Sequence, residues 1–141
     1  MFNIDREELK MEIEGELARL APQAGRGYRV RALVVHPYCD PIVAWVPTDY
    51  AAVYCIVGGP PEAVKLETGV ELFRNKHGEL LGLTGNCAIY DRNTEQQVGI
   101  AAGTFLVMGV DEVLDETIDL NDDALEKYTD LLMEPNRSRC I

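Results

Sequence analysis

Glu79-Leu80-Leu81-Gly82-Leu83-Thr84-Gly85-Asn86-Cys87-Ala88-Ile89-Tyr90 opens the stretch that decides the fold, and Gly99-Ile100-Ala101-Ala102-Gly103-Thr104-Phe105-Leu106-Val107-Met108-Gly109-Val110-Asp111 closes it. Short apolar runs alternate here with Gly, Asn and Thr. Runs of that length, punctuated by turn formers, read as strands of a small β-rich core. Strands are expected at Leu80–Leu83, Ala88–Tyr90 and Thr104–Val110, with an exposed turn at Asp91-Arg92-Asn93-Thr94. The stretch contains no recognisable catalytic constellation.

Upstream, Arg29–Val35 and Ile42–Val46 read as two strands of a hairpin around Tyr38-Cys39-Asp40-Pro41, because Pro and Asp favour turn geometry. Thr48 is placed to cap a short helix through about Val57, closed by Gly58. That helix is apolar nearly all round, so burial is expected. Glu62–Glu67 and Val70–Arg74 continue the strands to a turn at Asn75-Lys76-His77-Gly78. At the N-terminus, Leu9, Ile13, Leu17 and Leu20 recur at helical spacing, and Pro22 and Gly25 end the pattern. Downstream, Asn121 caps a helix whose stripe is Leu125, Tyr128, Leu131 and Leu132. The expected fold is α+β: an N-terminal helix, a central, mainly antiparallel curved sheet or partial barrel with one short buried helix, and a C-terminal helix. The expected domains are an acidic N-terminal helix and linker over 1–28, a single α+β domain over 29–134 and a frayed tail over 135–141.

The charge is uneven. The net charge of −11 divides into −4 over residues 1–16, zero over 17–110, −9 over 111–134 and +2 in the tail. A neutral centre with acidic flanks disfavours direct binding to a nucleic-acid backbone, which needs a basic surface. No apolar run reaches the ~18 residues of a membrane span. Met1-Phe2-Asn3-Ile4-Asp5 lacks the features of a signal peptide, so the cytoplasm is expected. Cys39, Cys55, Cys87 and Cys140 are widely spaced and are expected as reduced thiols.

Several motifs bear on chemistry. His36-Pro37-Tyr38-Cys39-Asp40 places a His, a Cys and an acid together, but a tetrahedral metal site needs about four ligands. The only other histidine is His77, so a plain turn is expected and no metal. A Cys–His nucleophile is disfavoured by Pro37 and Pro41. Gly58-Gly59-Pro60-Pro61 lacks the Lys and Ser/Thr of a phosphate-binding loop. Thr84-Gly85-Asn86 and Gly103-Thr104 are polar breaks between apolar strands. If neighbours, they line a small polar pocket; the alternative is that Asn86 holds a turn by bonding to backbone. The acidic pairs Asp111-Glu112, Asp115-Glu116 and Asp122-Asp123 lack EF-hand spacing. They offer an acidic surface to a basic partner, or simply solubility.

In Leu33-Val34-Val35, Ile56-Val57-Gly58-Gly59, Glu79-Leu80-Leu81-Gly82-Leu83, Asn86-Cys87-Ala88-Ile89-Tyr90 and Ala102-Gly103-Thr104-Phe105-Leu106-Val107-Met108-Gly109, taken in order, the chain resembles the family called domain of unknown function 3846, from about Arg31 to Leu132. The family's pattern has a basic residue after Asn86 where this chain has Cys87. The resemblance implies context more than chemistry: a small accessory protein of a phage, plasmid or bacterium. The leading expectation is therefore a non-enzymatic binding protein, phage-encoded and anti-defence in role. It would meet a basic protein surface through Asp111, Glu112, Asp115, Glu116, Asp122 and Asp123. The alternative is a nucleotide-like ligand held by Gly58, Gly59, Asn86, Gly103 and Thr104, with Arg29 or Arg31 on a phosphate. No cofactor is expected, and self-association through the N-terminal helix remains open.

Overall fold

A computed structural model describes residues 29–90 and 93–133. Eight strands run in chain order: β1 Arg29–Val35, β2 Ile42–Pro47, β3 Pro61–Glu67, β4 Val70–Asn75, β5 Gly85–Tyr90, β6 Gln97–Ala102, β7 Phe105–Asp111 and β8 Glu116–Ile118. Helix α1, Tyr50–Val57, lies between β2 and β3, and α2, Asp122–Leu131, follows β8. Strands hold 47% of the described residues and helices 17%. That corrects the α+β expectation: this is a mostly antiparallel β-sheet protein carrying two helices. The expected N-terminal helix and the tail from 135 onward lie outside the described residues.

The main sheet has the order β2-β1-β7-β4-β3, with every pairing antiparallel. It is open, with edges at β2 and β3, so it is not a barrel. β7 sits centrally because Phe105-Leu106-Val107-Met108 is apolar on both faces, as a doubly covered strand must be. Val30, Ala32, Val34, Leu106 and Met108 meet Val53 and Val57 of α1 on one face. Leu33, Val35, Leu72, Phe105 and Val107 face the other way. They meet Cys87, Ile89 and Ala101 of the separate β5–β6 ribbon, and Ala124, Tyr128 and Leu132 around α2. Each fully buried Leu or Phe in these layers contributes roughly 1.5–3 kcal/mol by leaving water.

Four local expectations are corrected. Residues 80–83 form turn and loop, with Leu80 and Leu81 exposed, because Gly78 and Gly82 interrupt the run. Helix α1 is buried only along Ala52, Val53 and Val57, and Tyr50 and Tyr54 face solvent. Its N-cap is Asp49, not Thr48, and it closes at Gly58 with φ 80°. Cys39 and Cys55 are in no disulfide, whereas Cys87 is disulfide-bonded, contrary to the expectation of reduced thiols throughout.

The sheet forks at β7. Its first half pairs with β1 through Leu33, Val34 and Val35, and its last residues pair with β8. Gly109 faces Val70 of β4 on one side and Ile118 of β8 on the other, so β8 occupies the row that β1 leaves. A Cβ at Gly109 would collide with the Asp119 carbonyl oxygen, so only glycine admits this close approach. Arg31 closes the fork. Its N–H donates to Asp119 Oδ1 at 2.9 Å, and its guanidinium donates to Leu120 O at 2.8 Å and Asp122 Oδ1 at 2.7 Å.

Candidate functional site

The antiparallel register places two sets of loops at opposite ends of the sheet. One end gathers the close of β1, the close of β4 and the start of β7. The other gathers the β3–β4 turn, the β7–β8 turn and the approach to α2. The two sequence-predicted sites divide between these ends.

Among the ligand candidates, the structure brings Asn86, Gly103 and Thr104 together. Asn86 Nδ2 donates to Val35 O at 3.0 Å and Gly103 O at 2.9 Å, while Gly103 N–H donates to Thr84 O at 2.7 Å. Thr104 Oγ1 and His36 Nδ1 are 2.6 Å apart. These contacts fasten the start of the ribbon to the end of β1. Asn86 thus bonds backbone, but from within β5 and to carbonyls 51 and 17 residues away, not across a local turn. The His36–Asp40 segment is also a turn, with Cys39 N–H donating to His36 O and Tyr38 at φ 63°.

Gly58 and Gly59 lie apart from that group, on the α1 face of the sheet. Asn75, buried and polar, donates from Nδ2 to Val57 O at 3.3 Å and accepts from His77 N–H at 2.9 Å. A Cβ on Gly59 would approach Asn75 Nδ2 to 2.7 Å, so the glycine makes room for the amide. The five ligand candidates thus form two internal fastenings on opposite faces, not one pocket. Arg31 reaches toward the other end, into the fork. Arg74, which sequence reading passed over, binds Glu62 at 2.9 Å and Ile100 O at 3.1 Å, pinning β6 to the sheet.

The six acidic candidates are placed at the second end. Asp111 Oδ1 accepts from Val113 and Leu114 N–H at 3.0 and 3.2 Å, shaping the β7–β8 turn. Glu112 pairs with Lys65 at 3.0 Å and accepts from Gly69 N–H, and both bonds hold its carboxyl below the usual range. Asp122 pairs with Arg31. Asp115, Glu116 and Asp123 are exposed, and no carboxylate bond of theirs is seen among the described residues. Glu71 lies beneath the turn. Burial raises its pKa, and the nearby Asp115 and Glu112 raise it further. Asp122 and Asp123 also occupy the first turn of α2, where the helix dipole favours acids, and Asn121 Oδ1 caps Ala124 N–H as its sequence predicts. Beside them a surface cavity of about 290 Å³ is lined by Glu67, Thr68, Val70, Asn121, Asp123, Ala124 and Lys127. Lys127 and Tyr128 both bond the Glu67 carboxylate there.

Among the described residues no group of His, Cys, Asp and Glu is arranged to hold a metal ion. No described helix is long and apolar enough to cross a membrane. The described residues form a six-stranded antiparallel sheet with a separate two-stranded ribbon and two helices, and the acidic candidates gather at one end of the main sheet. The chain belongs to the family described as Domain of unknown function (DUF3846), whose model matches residues 30–133. No curated protein and no solved structure matches it.

Proposed function

We propose that this is a non-enzymatic accessory protein that binds a protein partner through its acidic end. The observation that carries the reading is the placement of Asp111, Glu112, Asp115, Glu116, Asp122 and Asp123 around one end of the sheet, five of the six exposed. Crowded carboxylates repel one another; at Glu71 burial comes first in raising the carboxyl, and Asp115 and Glu112 add to it. A partner carrying lysines and arginines relieves that repulsion and is steered toward it. A phage or other mobile element is the proposed origin, the host cytoplasm the setting, and a host or defence protein that normally meets nucleic acid the partner.

The small-ligand reading receives less support, because Asn86 and Gly103 bond each other and Gly59 packs on Asn75. Capture of partners from host lysate at low and high salt tests the leading reading. A dominant partner lost at high salt is expected. The variant Asp115→Asn/Glu116→Gln/Asp123→Asn, which leaves the shaping acids in place, should weaken capture. Capture unchanged by both treatments would sink the acidic-end reading.

A further inference from the structure

At the tip of the acidic end, the turn 112–115 between β7 and β8 carries two large aliphatic side chains, Val113 and Leu114. Val113 is 93% exposed and Leu114 64%. Turn tips ordinarily carry Gly, Asn, Asp or Ser, whose polarity suits water. An adjacent aliphatic pair held out of the core therefore needs a reason.

The tip is also held in shape. Asp111 Oδ1 accepts from both backbone amides of the pair, and Asp115 closes the turn in the left-handed region at φ 55°. The base is tied to the neighbouring turn by Glu112, which bonds Gly69 N–H and Lys65. An apolar group presented on a fixed turn loses little conformational freedom on docking. Its surroundings specify the occupant: Glu112, Asp115 and Glu116 flank the pair, and among the described residues Lys65, on Glu112, is the one cation paired with them.

We propose that Val113 and Leu114 form a plug that inserts into an apolar pocket of a partner protein, and that lysines or arginines rim this pocket to meet Glu112, Asp115 and Glu116. The inference rests on the acidic-end reading and adds the apolar anchor to it. Anchor residues surrounded by a polar rim are the usual form of a binding hot spot. The exposed pair Leu80-Leu81, on a loop leading from the opposite end of the sheet, has Glu79 as its one acidic neighbour in sequence and serves as a matched control.

The test uses two synthetic probes of equal charge: an amphipathic peptide with a leucine stripe flanked by lysines, and an oligolysine. Calorimetry measures their binding to the full chain and to three variants. The wild type should prefer the leucine–lysine peptide. Val113→Ser/Leu114→Ser should weaken that peptide by on the order of ten- to a hundred-fold and leave oligolysine unchanged. Leu80→Ser/Leu81→Ser should change neither. Equal binding of both probes to the wild type, an unchanged preference in Val113→Ser/Leu114→Ser, or an equal loss in the control variant would each overturn the plug. Asp115→Asn/Glu116→Gln reads the charge separately: if it weakens neither probe, the acidic-end reading fails while the effect of the apolar pair is still measured.

Discussion

Where β1 ends and β7 begins, polar side chains turn inward: Asn86 reaches the carbonyls of Val35 and Gly103, and Asn75 reaches that of Val57. At the opposite end they turn outward, and Asp115, Glu116 and Asp123 stand in solvent. The inward groups are neutral amides, which donate to carbonyls without the desolvation cost of a buried charge. The outward groups are carboxylates, which are stable in water and repel one another across the turn. The first end fastens the chain through inward-turned amides, and the second is the end at which we propose a partner is met.

The sharpest test of that contrast is Asn86→Ala. It removes two donated bonds and leaves two carbonyls without them, so a loss of about 2–3 kcal/mol in urea unfolding is expected. If it costs no more than Asp115→Asn, the distinction between the ends collapses. Gly109→Ala should be nearly as damaging, at roughly 1–3 kcal/mol, because the new methyl meets rigid backbone at Asp119. It marks how far the outward end depends on the fork beneath it. A smaller effect is expected for Asp122→Asn. Its carboxylate is 88% exposed, so losing the Arg31 pair should cost less than about 1 kcal/mol, with salt reducing the difference.

The smallest effect is a pH dependence at Glu71. Burial, then Asp115 and Glu112, raise its carboxyl above 4.5, so the folded chain keeps this proton to higher pH than the unfolded chain. Ionised Glu71 therefore destabilises the fold. The penalty is absent well below pH 4.5, grows as pH rises through that value and is complete above the raised one. Glu71→Gln should accordingly gain melting temperature at pH 7 and lose that advantage near pH 4, as differential scanning fluorimetry would show.

The central strands were legible because their chemistry is local. Ala32–Val35 and Phe105–Met108 are short apolar runs of the length that suits a strand covered on both faces. Leu80–Leu83 misled for the same reason, since apolar composition alone does not say that two glycines turn the run outward. β6 went unseen because Gln97 and Val98 are exposed and its inward residues are only Ala101 and Ala102. Helix α1 looked buried all round, yet one short helix on a sheet can hide only one side, and its tyrosines take the other.

For the candidate site, the Asp111–Glu116 turn was readable as an acidic segment, because its residues are consecutive. The fastening by Asn86 was visible only as one of two readings, since its partners lie 51 and 17 residues away. The Arg31 contacts to Asp119 and Asp122 span 88 and 91 residues, and no local pattern announces them.

That reach has a consequence for how the chain is made. In the fork, the row begun by β1 is completed by β8, and the core beneath it is sealed by Leu120, Tyr128 and Leu132. During synthesis β1 therefore emerges long before the segment that completes its row. Contacts so distant in sequence form slowly, because a long loop must close before they are rewarded. A nascent chain that stops short of Glu116 holds β1, β4 and β7 with an incomplete row and an open face, and it is in this interval that the protein is most exposed to misassociation.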